Sequence, residues 1–130
     1  MKIYTGNYAN LKKYTAINLH PISISISAKY FLGDFYRPLN PKRDFMNDIE
    51  EIYTPKFNDI LSKLDANKVF NDLKQISKNK DVVLLCHENE DDFCHRHLVG
   101  KWLQENLNIE VKELGKMKKN VEKILQLQLL

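Results

Sequence analysis

The residues of this chain best suited to chemistry fall between positions 82 and 102: Cys86, His87 and Glu88, then Cys94, His95 and Arg96, with His97 behind them. Three kinds of chemistry fit such a set. A thiol at a helix N-terminus beside histidine and arginine has the surroundings that favour its reactive thiolate form. The same helix end, with its free N–H groups and Arg96, suits a phosphate or carboxylate. Sulfur and imidazole together are also zinc ligands. The spacing Cys-x7-Cys-His-x-His matches no common zinc finger, however, so no metal is expected. The stretch from Cys86 to Arg96 is likewise too long for a cysteine-phosphatase loop.

These residues need a strand, a loop and a helix to hold them. Val82-Val-Leu-Leu-Cys86 is an unbroken apolar run, the pattern of a strand covered on both faces. The acidic residues 88–92 follow, and Asp91 or Asp92 is placed to cap a helix, where carboxylates favour the positive end. On that helix Cys94 aligns with Leu98 and Trp102, and His95 with Val99 and Leu103, so both should face the core. Arg96 and His97 lead toward Gly100 and Lys101, which places Arg96 on the outer side, reaching across the mouth. Neighbouring helical residues point about 100° apart, an angle that disfavours a direct Cys94–His95 pair.

The remaining elements supply a frame. Residues 2–5 read as a first strand ended by the turn signal Gly6-Asn7, with Thr5 and Asn7 as further donors to a ligand. Ile22-Ser-Ile-Ser-Ile alternates as a strand does, with Pro21 at its start. Residues 28–44 form an irregular aromatic loop. Thr54-Pro55 reads as a helix opening, Asp65 as the cap of the next helix, residues 109–114 as a last strand and 117–129 as a closing helix. Strands alternating with helices predict a single-domain α/β fold: a mostly parallel, Rossmann-like sheet with helices packed on both faces and no glycine-rich loop. The α/β domain should occupy residues 1–114, and residues 115–130 should be a helical extension packed on the core or on a partner. Ligands of such sheets lie beyond the carboxyl ends of the strands. There the loops at 6–10, after Ile26 and at 87–93 should meet.

Composition narrows the field further. The chain has 130 residues, 43% hydrophobic and 28% charged, the profile of one ordinary globular domain. A net charge of +3 is too mild to argue for nucleic acid, and the lysines between 112 and 123 read as a solvated helix face. No signal peptide is recognisable, and the longest apolar run falls far short of the roughly 20 residues of a membrane helix, so a cytoplasmic location is expected. Two cysteines in such a compartment argue against a disulfide framework, and a dry core pair of thiols is expected in preference to a metal site. The four glycines are scattered, which removes the nucleotide-binding glycine loops.

Val-Leu-Leu-Cys86-His-Glu88 followed by Phe93-Cys94-His95-Arg96-His-Leu-Val resembles the signature of the family known as domain of unknown function 488. The opening Ile3-Tyr4-Thr5-Gly6-Asn7-Tyr8 and the loop with Tyr30, Gly33, Tyr36, Leu39 and Pro41 are similar to its shorter members. The resemblance implies a compact α/β domain and singles out Cys86, Glu88, Cys94, His95 and Arg96. It carries no assigned activity. Longer relatives bear an Asp-Val-Arg at the second strand, where this chain has Ile-Ser-Ile-Ser.

The leading expectation is a site for a small anionic or nucleotide-type ligand, built from the strand end at Cys86 and the helix N-terminus Cys94-His95-Arg96. Its binding set would be Thr5, Asn7, Cys86, Glu88 and Arg96. Two alternatives stand beside it. One is a cysteine-dependent enzyme or redox thiol with Cys94, His95 and Arg96 as catalytic candidates. The other is a non-enzymatic interaction module using the C-terminal helix and the aromatic loop, with a homodimer formed through that helix. No cofactor and no membrane partner are expected.

Overall fold

The computed structural model describes residues 1–87 and 93–115. Five strands, β1 (Ile3–Asn7), β2 (His20–Ser23), β3 (Asp34–Phe35), β4 (Val82–Cys86) and β5 (Val111–Glu113), form one sheet in the order β3-β2-β4-β1-β5. Every pairing is parallel. The helices are α1 (Leu11–Ala16), α2 (Glu50–Ser62), α3 (Ala66–Ile76) and α4 (His95–Leu107). This is the parallel α/β arrangement the sequence predicts.

The strand period of two divides the core between the faces. Ile3, Ile22, Val82 and Leu84 point to one side, where Tyr53, Phe57, Leu61, Val69, Leu73, Val99 and Leu103 of α2, α3 and α4 cover them. Tyr4, Val83 and Leu85 point to the other and meet Tyr14, Ile17, Leu19 and Phe31 from α1 and the loops after it and after β2. All five residues of β4 are buried, as its uninterrupted apolar run requires.

Three boundaries differ from expectation. β1 continues through Gly6 and Asn7 instead of turning there. The Tyr14 ring occupies the space a side chain would need, since a Cβ on Gly6 would lie 2.5 Å from Tyr14 Oη. The glycine therefore serves close approach, not a turn. β2 begins earlier, with Pro21 inside it, yet Ile24 still donates its N–H to Leu85 O at 3.1 Å beyond the last strand residue. Finally, α2 runs through Pro55 rather than opening at it. Tyr53 anchors the preceding turn, buried edge-on to Phe45 and Phe93 at 5.0 Å each, and this packing outweighs the hydrogen bond proline removes. Asp65 caps α3 as expected, accepting from the N–H groups of Asn67 and Lys68.

The expected closing helix, residues 117–129, lies outside the described part of the chain, as do Glu88, Asp91 and Asp92. No helix among the described residues is long and apolar enough to cross a membrane.

Candidate functional site

The sheet topology singles out the carboxyl end of β4. The chain leaves β1 and β2 on the α1 face, as Tyr8 and Phe31 show, whereas it leaves β4 on the opposite face into α4. Connections that diverge in this way open a crevice beyond the strand ends, the usual ligand position in an open parallel sheet. Cys86 is the last residue of β4, in register with Asn7 of β1.

Cys94 approaches from the helix side. It is not the first helical residue but the N-cap of α4, with an extended backbone at φ −146° and ψ 141°. That conformation brings its sulfur onto Cys86, and the two are joined as a disulfide across a sequence separation of 8. The expectation of two separate core thiols is thus corrected. Spacing could not reveal the link, because it depends on the N-cap dihedrals and not on the helical period. Both cysteines are almost fully buried.

The same extended cap overturns the argument against a Cys94–His95 pair. The two side chains do not project from adjacent helical positions, and His95 Nδ1 lies 3.8 Å from Cys94 Sγ. The other ring nitrogen, Nε2, is 2.7 Å from the Ile24 carbonyl oxygen, which can only accept, so Nε2 carries the proton and Nδ1 is the bare nitrogen. The ring also packs edge-on to Phe57 at 5.3 Å. Burial outweighs the Ile24 bond, which acts the other way, and pushes the His95 pKa down to about 4. His95 is therefore a neutral acceptor aimed at a sulfur, not a cation. Ring nitrogen and both sulfurs lie within 4.8 Å of one another, a set that could ligate a metal.

Arg96 departs furthest from expectation. It is fully buried, and so is Gly100 beside it. The inward stripe of α4 is His95, Arg96, Val99, Gly100 and Leu103, a rotation that leaves Leu98 and Trp102 half-buried at its edge. Gly100 lets the helix lie close to β1 and β5, with the Thr5 and Val111 side chains against it. The guanidinium then donates from Nε to Glu113 Oε1 at 2.8 Å and from Nη2 to Glu113 Oε2 at 3.3 Å. Its Nη1 donates to Cys86 Sγ at 3.1 Å.

Glu113 is the residue that sequence reasoning missed. It also accepts from Thr5 Oγ1 at 2.8 Å and from the Gly115 N–H at 2.7 Å. A single carboxylate on an edge strand thereby gathers β1, α4 and the turn after β5. The signal available was a charge inside a short strand, one helix after an arginine on a buried stripe. Thr5 is thus engaged with Glu113, and Asn7 Oδ1 accepts from Asn10 Nδ2 at 3.0 Å.

A cleft of about 270 Å³ opens in front of the two cysteines. Ser25, Ser27, Asn47, Asp48 and His87 give it polar walls, and Tyr53, Met46 and Phe93 an apolar one. Cys86, Cys94 and His95 line it, whereas Thr5, Asn7 and Arg96 do not. The three expected loops do meet at this end: Tyr8 Oη bonds Ser23 Oγ and Ser25 Oγ, and its ring stacks obliquely on His87 at 4.8 Å. His87 Nε2 is 2.7 Å from the Ser27 carbonyl, which fixes its tautomer in turn.

A family model described as the active DUF488-N3 subclade (DUF488-N3a) matches residues 14–107, a span from α1 through the last residue of α4 that includes both cysteines, His95 and Arg96. β1, β5 and Glu113 lie outside the matched span. No curated protein and no solved structure matches the chain.

Proposed function

The chain belongs to the domain of unknown function 488 family, in its active N3 subclade, and from the geometry of its two cysteines we propose that it is a thiol–disulfide protein whose reactive pair is Cys86 and Cys94. The observation that carries this reading is the asymmetric setting of the two bonded sulfurs at the wall of the cleft. Cys86 Sγ receives an N–H from a guanidinium, while Cys94 Sγ faces the bare nitrogen of a neutral imidazole. A donor on sulfur favours the thiolate, so Cys86 is the leaving group and Cys94 the sulfur attacked.

The step balances as an exchange with a dithiol or with two monothiols. One incoming thiolate attacks Cys94 Sγ, the S–S bond breaks, and its electron pair goes to Cys86 Sγ under Arg96. A second thiol then displaces the mixed disulfide, leaving both cysteines reduced and the reductant oxidised by two electrons and two protons. In the reverse direction the Cys94 thiol donates its hydrogen bond to His95 Nδ1, which orients it for attack.

The walls of the cleft bear on the ligand. Arg96, the cation of the anion-site reading, is engaged by Glu113 and Cys86, and the described residues lining the cleft include Asp48 but no lysine or arginine. Serine hydroxyls, an amide and an imidazole beside an aromatic wall better suit a small neutral polar molecule. Equilibration in dithiothreitol or glutathione buffers, alkylation of free thiols and mass measurement test the proposal. A single two-electron transition in the folded protein is expected, and Arg96→Met should shift its midpoint. Cysteines that stay fully alkylatable in oxidising buffer, or that react only after unfolding, would overturn it.

A further inference from the structure

Reduction of the pair frees two sulfurs beside a third ligand atom that is already prepared. We propose that in the dithiol state Cys86 Sγ, Cys94 Sγ and His95 Nδ1 bind one thiophilic metal ion of the zinc type, with the fourth position open to the cleft. This rests on the thiol–disulfide reading only in requiring that the sulfurs can be released.

Several observations carry it. The three ligand atoms lie within 4.8 Å of one another. Tetrahedral zinc with Zn–S near 2.3 Å and Zn–N near 2.0 Å has ligand–ligand edges of roughly 3.5–3.8 Å, and the Cys94 Sγ···His95 Nδ1 separation is 3.8 Å. The imidazole is tuned as metal-bound histidines are: its far N–H is held by a backbone carbonyl, which fixes the tautomer and aims the bare nitrogen inward. An N–H donor on a ligating sulfur is the second outer-shell feature, and Arg96 supplies it to Cys86. The donor set of two thiolates and one imidazole is soft to borderline, which selects zinc over magnesium or calcium. Three protein ligands facing a 270 Å³ cleft is the pattern of a metal that still takes a ligand, rather than of a closed structural site.

Disulfide and metal exclude each other, since both use the same sulfur electron pairs. A disulfide oxidant RSSR converts the bound state by taking two electrons: the protein S–S bond forms, two RS⁻ leave, and the metal ion is released. The site is then a metal centre gated by the redox state of its own ligands.

The test uses the full chain. After reduction and desalting, thiols are counted with a chromogenic disulfide, and cobalt(II) is titrated in without chelator. The expected result is two thiols per chain and one cobalt, with thiolate-to-cobalt charge-transfer absorption and the intense visible bands of tetrahedral cobalt. Zinc should displace the colour, and added oxidised glutathione should abolish it. His95→Gln keeps an N–H for the Ile24 carbonyl while deleting the Nδ1 position, and should weaken cobalt binding by more than the roughly 10- to 100-fold that losing an outer-shell partner costs. Cys94→Ser should do the same. Two titratable thiols without cobalt bands would sink the metal site and leave the thiol–disulfide reading standing. Absence of titratable thiols in the folded, reduced protein would sink both. Unaltered cobalt affinity in His95→Gln would remove the imidazole and with it the proposed site.

Discussion

At the level of single residues, the site is held by groups whose partners lie far away in the chain. Arg96 is buried against Glu113, whose side chain keeps 23% of its surface in contact with water. Removing the carboxylate takes the Nε and Nη2 hydrogen bonds from a buried guanidinium, so Glu113→Ala should cost about 2 to 4 kcal/mol in urea unfolding, the water contact keeping it below a fully buried pair. An apolar double variant at 96 and 113 should recover part of that loss. His95 sets an acid limit. Its pKa of about 4 in the fold lies below the ordinary 6.5, so between those values the unfolded chain holds a proton the fold refuses. Stability should fall as pH drops from about 6.5 to 4, by roughly 3 kcal/mol in all. Thermal melts of the oxidised, metal-free protein measure this, and His95→Gln should flatten the slope. The sequence identifies Cys86, Cys94, His95 and Arg96 as a group, since their types cluster at one strand end. It does not reveal that Arg96 points inward. A charged side chain is assigned to the outer face by default, and partners distant in sequence, Glu113 among them, reverse that.

Elements were legible where one physical signal dominates. Val82–Cys86 is apolar throughout and is a fully buried strand, and Asp65 stands at the start of α3 with its cap bonds made. Where two signals compete, the tertiary one prevails. Gly6 has the composition of a turn but lies in β1 because the Tyr14 ring needs its space. Gly6→Ala should therefore destabilise by about 1 to 3 kcal/mol through overpacking. Pro55 has the composition of a helix start but sits within α2 because Tyr53, two residues earlier, is already packed. Pro55→Ala should restore the missing bond to the Glu51 carbonyl and raise stability by about 1 to 3 kcal/mol in chemical denaturation. A decrease would mean that the proline's effect on the unfolded chain outweighs its cost in the helix.

For the whole molecule, alternation of strands and helices was enough to predict the parallel α/β class, but not the order β3-β2-β4-β1-β5. Periodicity reports which face of an element is buried and is silent on which neighbour buries it. The position of the site follows from that order, because β4 alone exits toward α4 between strands that exit on the other face. The disulfide ties this exit to its strand. Reducing it should lower unfolding free energy by about 2 to 3 kcal/mol, the loop-closure value for so short a link, readable as a lower melting temperature under reductant.

The central place of β4 also dictates when the protein can form during synthesis. β1 pairs only with β4 and β5, and β2 finds no central neighbour until β4 exists. The first strands made are therefore the ones that must wait, with apolar faces uncovered, until the ribosome has delivered residue 86. Such a nascent chain is a natural client for holding factors. The cysteine pair closes later still, once Cys94 has emerged, when β4 is already available to β1 and β2 but β5 is not yet made, so the bond is a seal placed on the central strands and not a guide to their pairing.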